Sequence, residues 1–241
     1  LMKKILLIFY FLPIISNSQI INFETLRINE KKNFNGFIEM NYEFKKVEET
    51  DWELDNKILL NWKYNSWSIY FVNEINLDRA AGINFSNDGY QHIRINKTLN
   101  NKIKFESFFQ NQYDPIRKIE NRKIIGGGLR FSLLNYHIGL SSFYEKEKLN
   151  YGLIEKNIRL SSYLNFSFLF NKIIEINSTF YYQPKFSVIE NYRISNNTDL
   201  SIKINNNLFL TNSIKISYDT FPATQIPKTI INLENGLSFK F

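Results

Sequence analysis

His137, Ser141 and Glu145 come nearest, by type and spacing, to an active site in this sequence. They share one parity of an alternating segment, so a strand would carry all three on one face. A histidine base beside a serine nucleophile and a carboxylate would make an acyl-transfer triad. Metal chemistry finds less support. His92 and His137 are the only histidines and cysteine is absent, which removes His-rich, thiolate and disulfide sites together. Gly126-Gly127-Gly128 lacks the Lys-Ser/Thr and the helix that complete a phosphate loop. Inside a strand such glycines mark a bulge or strong curvature, here one that makes room beside Phe108. Glu48, Glu49 and Asp51, with Glu53 and Asp55 just beyond, could attract a divalent cation, but a solvated loop face is the favoured reading.

The elements that would carry these groups repeat. Asn65, Asn100, Asn135, Asn171 and Asn206 lie roughly 35 residues apart, each flanked by alternating apolar and polar residues. Each unit reads as two strands, one tight turn and one longer loop. The alternation predicts twelve strands, at 35–45, 52–64, 67–78, 90–99, 102–113, 122–133, 136–145, 157–169, 172–182, 192–204, 208–218 and 229–241. Lys185–Ile189 also alternates, but the period assigns it to the loop before the tenth strand or to an extension of that strand. Helical periodicity is absent.

Each strand splits cleanly by parity. Leu54, Ile58, Leu60, Trp62 and Tyr64 oppose Glu53, Asp55, Lys57, Leu59, Asn61 and Lys63; Ile103, Phe105, Phe109 and Tyr113 oppose Lys104, Glu106, Gln110 and Gln112. Alternation alone leaves open which face is inside, since a soluble barrel would bury the apolar one. Three features favour a membrane. Aromatics gather at strand ends, with Trp62, Tyr64, Trp67 and Tyr136 near the short turns and Tyr42, Trp52, Tyr113, Tyr144, Tyr182, Tyr192 and Tyr218 near the longer loops. Short turns alternate with longer loops. The last strand sets Leu237, Phe239 and Phe241 on one face, resembling the signal that barrel-insertion machinery reads. The expected fold is therefore all-β, a transmembrane up-and-down antiparallel β-barrel of twelve strands.

Composition agrees. Apolar residues make up 44% and aromatics 16% of 241 residues, and the mean hydropathy of −0.30 suits strands that meet lipid with every second residue. Met2, Lys3-Lys4 and the apolar run Ile5–Ile15, then Ser16 and Ser18, read as a signal peptide over 1–18. Residues 19–34 are then a periplasmic segment and 35–241 the barrel. Without Lys3 and Lys4 the formal charge falls from +7 to +5, with acids and bases interleaved, so no nucleic-acid partner is expected.

The chain resembles the YdiY-like salt-induced outer-membrane proteins, a family built on domain of unknown function 481. The resemblance rests on Asn87–Arg94, Phe109–Asp114, Gly126–Leu134 and Leu210–Asp219 with the Pro-containing loop and last strand that follow. It implies an outer-membrane location in a Gram-negative bacterium and no established activity. Outer-membrane lipid hydrolases present their catalytic groups to lipid and use His-x-Ser spacing. His137 and Ser141 match neither feature, so no catalytic, cofactor or metal residue is assigned.

Parity places Lys57, Arg94, Lys102, Lys104, Glu106, Arg122, Arg130, His137, Arg159, Glu175, Lys203 and Lys215 in the lumen, with Arg193 and Glu234 among others. Basic residues outnumber acids on the central strands, which predicts attraction of small anions if the lumen is open. The expected function is a narrow passive channel. The alternatives are a structural barrel with a plugged lumen and a soluble periplasmic ligand-binding barrel. Lipid and the insertion machinery are the expected partners, the chain being monomeric. The loops near Glu49, Asn84, Lys118, Leu149, Pro184 and Thr224 are expected to face outward.

Overall fold

The computed structural model describes residues 33–46, 50–80, 83–115 and 117–241, with side chains over 33–41, 53–77, 87–115 and 117–241. The leader, most of 19–34, Glu48, Glu49 and the side chains of Tyr42, Asp51 and Trp52 lie outside the described residues. Twelve strands run β1 Phe34–Lys46, β2 Thr50–Tyr64, β3 Trp67–Ala80, β4 Ile83–Thr98, β5 Ile103–Asp114, β6 Ile119–Leu133, β7 Tyr136–Leu149, β8 Ile154–Phe170, β9 Ile174–Pro184, β10 Tyr192–Lys203, β11 Leu208–Asp219 and β12 Thr229–Lys240. Each pairs antiparallel with its sequence neighbours, and β1 pairs with β12 to close the barrel. Phe37–Met40 meet Leu237–Lys240 across this seam. Gly36 and Phe241 exchange backbone hydrogen bonds of 3.1 and 3.3 Å beside it. A Cβ on Gly36 would sit 2.7 Å from the Phe241 ring, so the missing side chain admits the aromatic.

Burial is inverted relative to a soluble protein. Glu145 is 0% and Arg122 3% exposed, while Ile125 and Leu140, on the opposite faces of the same strands, are 60% and 54% exposed. Apolar side chains on the outside and charges inside are the arrangement of a membrane-spanning barrel. Rings stand at both ends of the outer wall: Trp62 stacks on Tyr64 and Phe239 meets Phe241 at a tilt near the short turns, while Tyr182, Tyr192 and Tyr218 form a row near the long loops.

The asparagine turns are built in three ways. Asn65 and Asn171 take the left-handed conformation themselves, which their short side chains tolerate. Asn100 instead accepts the N–H groups of Lys102 and Ile103 at 2.9 Å, and Asn205, not Asn206, does the same for Asn207 and Leu208. In the turn at Asn135 the left-handed residue is Leu134. The structure also corrects the glycine run: the β6 register passes unbroken through Gly126–Gly128. The register shifts fall at the long-loop ends of β3, β5 and β6, where bulges commonly terminate pairing. The room beside Phe108 is present. A Cβ on Gly126 would lie 2.5 Å from Phe143 Cβ and 2.7 Å from the Phe108 ring.

Several strands reach further toward the long loops than alternation indicated, β4 by seven residues and β7 by four. Lys185 makes only an isolated bridge to Arg159, which leaves Lys185–Ile189 outside the strands.

The wall assignment has a direct test. Ile125→Arg should destabilise the folded barrel by roughly 2–4 kcal/mol, the range for a cation near the bilayer midplane. Ser161→Ala, a lumenal change, should cost far less. Urea unfolding in lipid vesicles measures both, and a reversed order would place the apolar face inside.

Candidate functional site

The lumen is the candidate site, and its long-loop half is knotted by ion pairs. Glu145 on β7 receives three arginines: Arg122 from β6 at 2.7 Å, Arg159 from β8 at 3.2 Å and Arg193 from β10 at 3.0 Å. Arg122 and Arg193 also approach Glu147 at 3.4 and 3.5 Å, and Arg193 donates to Asp219 at 2.7 Å. Arg159 finishes its fork on Gln183 O and Asn191. Arg122, Glu145, Glu147 and Arg159 are buried, and Arg193 and Asp219 are only partly exposed, so unpaired charge there would be costly. Arg117, in the β5–β6 loop, donates to Ser217 on β11 at 2.8 Å, and Lys118 reaches Gln225. β5 and β11 lie on opposite sides of the ring, so this loop crosses the mouth. Burial lowers the Arg117 guanidinium to about 10, against the pull of Asp114; it remains protonated at neutral pH.

Deeper in the lumen, Arg94 donates to Glu106 at 3.0 Å, and Tyr163 donates to the same carboxylate at 3.3 Å. Arg94 also donates to His92 Nε2, so His92 Nδ1 carries the proton that faces Gln110 at 3.2 Å. A cavity with about 50 Å³ of space for water lies here, lined by His92, Arg94, Gln110, Arg122, Tyr181 and Gln183 among others. The wall of β1–β4 carries a further ion pair, Lys57 with Glu74 at 2.8 Å. Next to it is an apolar cluster of Phe37, Leu59, Tyr70, Val72 and Tyr90. Lys215 on β11 pairs with Glu234 on β12.

The sequence-derived residues fall unevenly in this picture. Lys57, Arg94, Glu106, Arg122, Arg159 and Lys215 all engage acidic or basic partners across the wall. Lys104 and Arg130 stand directly opposite each other nearer the short turns. Lys203 and Glu175 are at that end too, and Lys240 approaches Glu175 at 3.9 Å. Lys102 is exposed in the turn before β5, a rim position and not a wall position. Of the basic residues expected on the central strands, Arg94, Arg122 and Arg159 each pair with an acid, while Lys104 and Arg130 lie toward the short-turn end. Among the described residues at the short-turn end, Lys63, Lys104, Arg130, Lys203 and Lys240 share the lumenal parity with Glu175.

His137, Ser141 and Glu145 do not assemble. Ser141 donates to Ser161 O at 3.4 Å, Glu145 is held by arginines, and His137 stands near the start of β7. Sequence reasoning missed Asp114, Glu147 and Asp219. Each lies just beyond a predicted strand end, and each shares the inward parity of its strand, so extending the alternation would have found it. The apolar lumenal cluster was also missed, although Leu59 shares its parity with Lys57.

The family model described as "Protein of unknown function, DUF481" matches residues 48–241. The chain belongs to this family. Among solved structures, the DUF481 chain resembles the NanC porin with a TM-score of 0.53 at 11% identity, over 86% of this chain and 100% of that one. The translocator domain of the autotransporter NalP from Neisseria meningitidis gives 0.50 at 8%, over 91% and 92%. The KdgM porin, solved in complex with disordered oligogalacturonate, gives 0.47 at 13%, over 86% and 99%. At these identities the likeness is one of fold. Comparison with curated proteins returns no match.

Removing the shared acid tests the knot. Glu145→Ala should cost roughly 3–5 kcal/mol, the scale for stranding buried charged partners. Lys148→Ala, which breaks an exposed pair with Glu120, should cost under about 1 kcal/mol. Unfolding midpoints of the two variants distinguish them, and equal small losses would show that the knot contributes little.

Proposed function

We propose that this DUF481 chain is a porin-like barrel of the Gram-negative outer membrane that passes only small polar solutes, with a modest preference for anions. The observation that carries the reading is the lumen itself, polar along most of its wall, with a cavity of about 50 Å³ for water beside the Glu145 knot. Twelve strands fall between barrels that fill with side chains and those that hold a wide channel. The basic rim at the short-turn end would raise the local anion concentration. Its effect is moderated by Glu39, Asp55, Glu74, Asp199 and Glu234, whose side chains belong to the lumenal parity of the β1–β3 and β10–β12 walls. Short turns are assigned to the periplasm and long loops to the exterior, as in bacterial barrels generally. Leu237, Phe239 and Phe241, which stand at the closing seam, are the proposed contacts for insertion machinery.

A second reading has its own support. The Arg117 loop and the Glu145 knot span the mouth, and a barrel sealed there would serve the envelope mechanically.

Single-channel recording in planar bilayers separates the two. The channel reading expects small conductance steps and reversal potentials that favour anions in a salt gradient. Lys104→Glu combined with Arg130→Glu should shift selectivity toward cations. A purified, folded barrel that never conducts would support the sealed form.

Orientation is tested by cysteine labelling, since the chain has no native thiol. Tyr151→Cys should react with an impermeant maleimide on intact cells, whereas Leu134→Cys should react only after permeabilisation. Labelling of Leu134→Cys from outside would invert the topology.

A further inference from the structure

Three lysines stand side by side on the outer wall. Lys123 on β6 is the direct cross-strand partner of Lys146 on β7, and Lys146 is the direct partner of Lys156 on β8. All three are exposed. They share the outward parity of Ile125, Tyr144 and Ile158, which form the next outward row toward the short turns. That lower row is 41–60% exposed, and its tyrosine belongs to the aromatic level at the long-loop ends. The lysine row therefore begins where the apolar belt stops, at the depth of lipid headgroups. On β9–β11 the outward places near the long loops hold Tyr182, Tyr192 and Tyr218 instead.

Like charges directly opposite one another across a sheet repel. Among the described residues no carboxylate pairs with any of the three. Glu145 and Glu147 face the lumen with their arginines, Glu155 goes to Lys185 at 3.3 Å, and Glu120 goes to Lys148 at 2.5 Å. A strand tip that needed only hydration would not require three cations in register. We propose that the row binds the phosphates of lipid A, the acidic glycolipid of the outer leaflet, an inference that rests on the long loops facing the exterior. Three properties select that ligand. Adjacent strands put the outer two lysines roughly 10 Å apart, so one headgroup with two phosphates can meet several ammonium groups. Lysine suits phosphate as a mobile point charge and needs no fixed fork. Directly beneath the row, Ile125, Leu140, Ile158 and Leu160 are 45–60% exposed, an apolar surface for acyl chains that a soluble phosphate would leave unused.

The test uses the full chain folded in a zwitterionic detergent. Native mass spectrometry follows its titration with bisphosphorylated lipid A, with the same lipid stripped of phosphate, with phosphatidylglycerol and with inorganic phosphate. Lipid A should bind best. Removing its phosphates, or combining Lys123→Gln, Lys146→Gln and Lys156→Gln, should weaken binding at least about ten-fold. The same charge taken from the other rim by Lys97→Gln, Lys102→Gln and Lys172→Gln should change it less than about two-fold, since that rim lies beyond the screening length of the row. Thermal unfolding adds a second readout. Without lipid A the first triple variant should be at least as stable as the parent, because opposed like charges have gone. With lipid A only the parent and the other-rim variant should gain in unfolding temperature. Equal weakening by the two triple variants, equal affinity for the phosphate-free lipid, or tighter binding of phosphatidylglycerol or inorganic phosphate would each overturn the proposal. Conductance plays no part in these measurements, so a sealed lumen would end the channel reading and leave this one standing. Labelling of Leu134→Cys from outside would place the row in the inner leaflet and overturn lipid A as its ligand.

Discussion

Hydrocarbon supplies no hydrogen-bond partner, and nearly everything in this structure follows from that. Each backbone N–H and C=O inside the bilayer must be met by another strand, so the sheet has to close. Here closure depends on the β1–β12 seam and on the Gly36–Phe241 contact beside it. Closure in turn fixes the two environments of alternate residues. One parity is committed to lipid and the other to the lumen along all twelve strands. A slip of one residue would invert a whole strand.

The same constraint concentrates charge. A lumen of this width gives water little volume, so arginines and carboxylates must satisfy one another. Glu145 shows the outcome, one carboxylate serving arginines from three other strands. Such pairs are not strong contributors to net stability, because desolvation consumes much of their attraction. They do hold the opposing walls in one arrangement. The arrangement also sets the conflict between conduction and closure, since the groups that make the lumen polar are the groups that cross it. Gly126 relieves crowding where the Phe108 and Phe143 side chains enter, so part of the lumen is filled by apolar bulk as well as by charge.

The outer wall carries the complementary problem. Its polar ribbon on β9–β12, where Ser178, Thr198 and Asn196 hydrogen-bond to one another and Asn212 to Asn235, is met by protein groups, as groups in lipid must be. Family membership and fold likeness define the barrel, whereas the chemistry of its surfaces belongs to this chain. Neither the lumenal knot nor the ribbon follows from barrel architecture alone, since parity is indifferent to which polar residue fills an inward or outward place.

Alternation and turn chemistry determined the strand number, the two faces and the short-turn positions, because a strand's side-chain period is local and needs no partner to be read. Reading Arg122, Arg159 and Arg193 as inward required nothing more. The strand ends were less legible: Glu147, Asp114 and Asp219 continue the parity into segments where the apolar half of the pattern fades, as it must once a strand leaves the lipid. Which charges meet was decided only by the tertiary structure. The arginines that converge on Glu145 are separated from it by 14 to 48 residues in sequence. Their height in the lumen depends on the register of every intervening strand pair. Local periodicity specifies the direction of a side chain, and only the closed barrel specifies its neighbours.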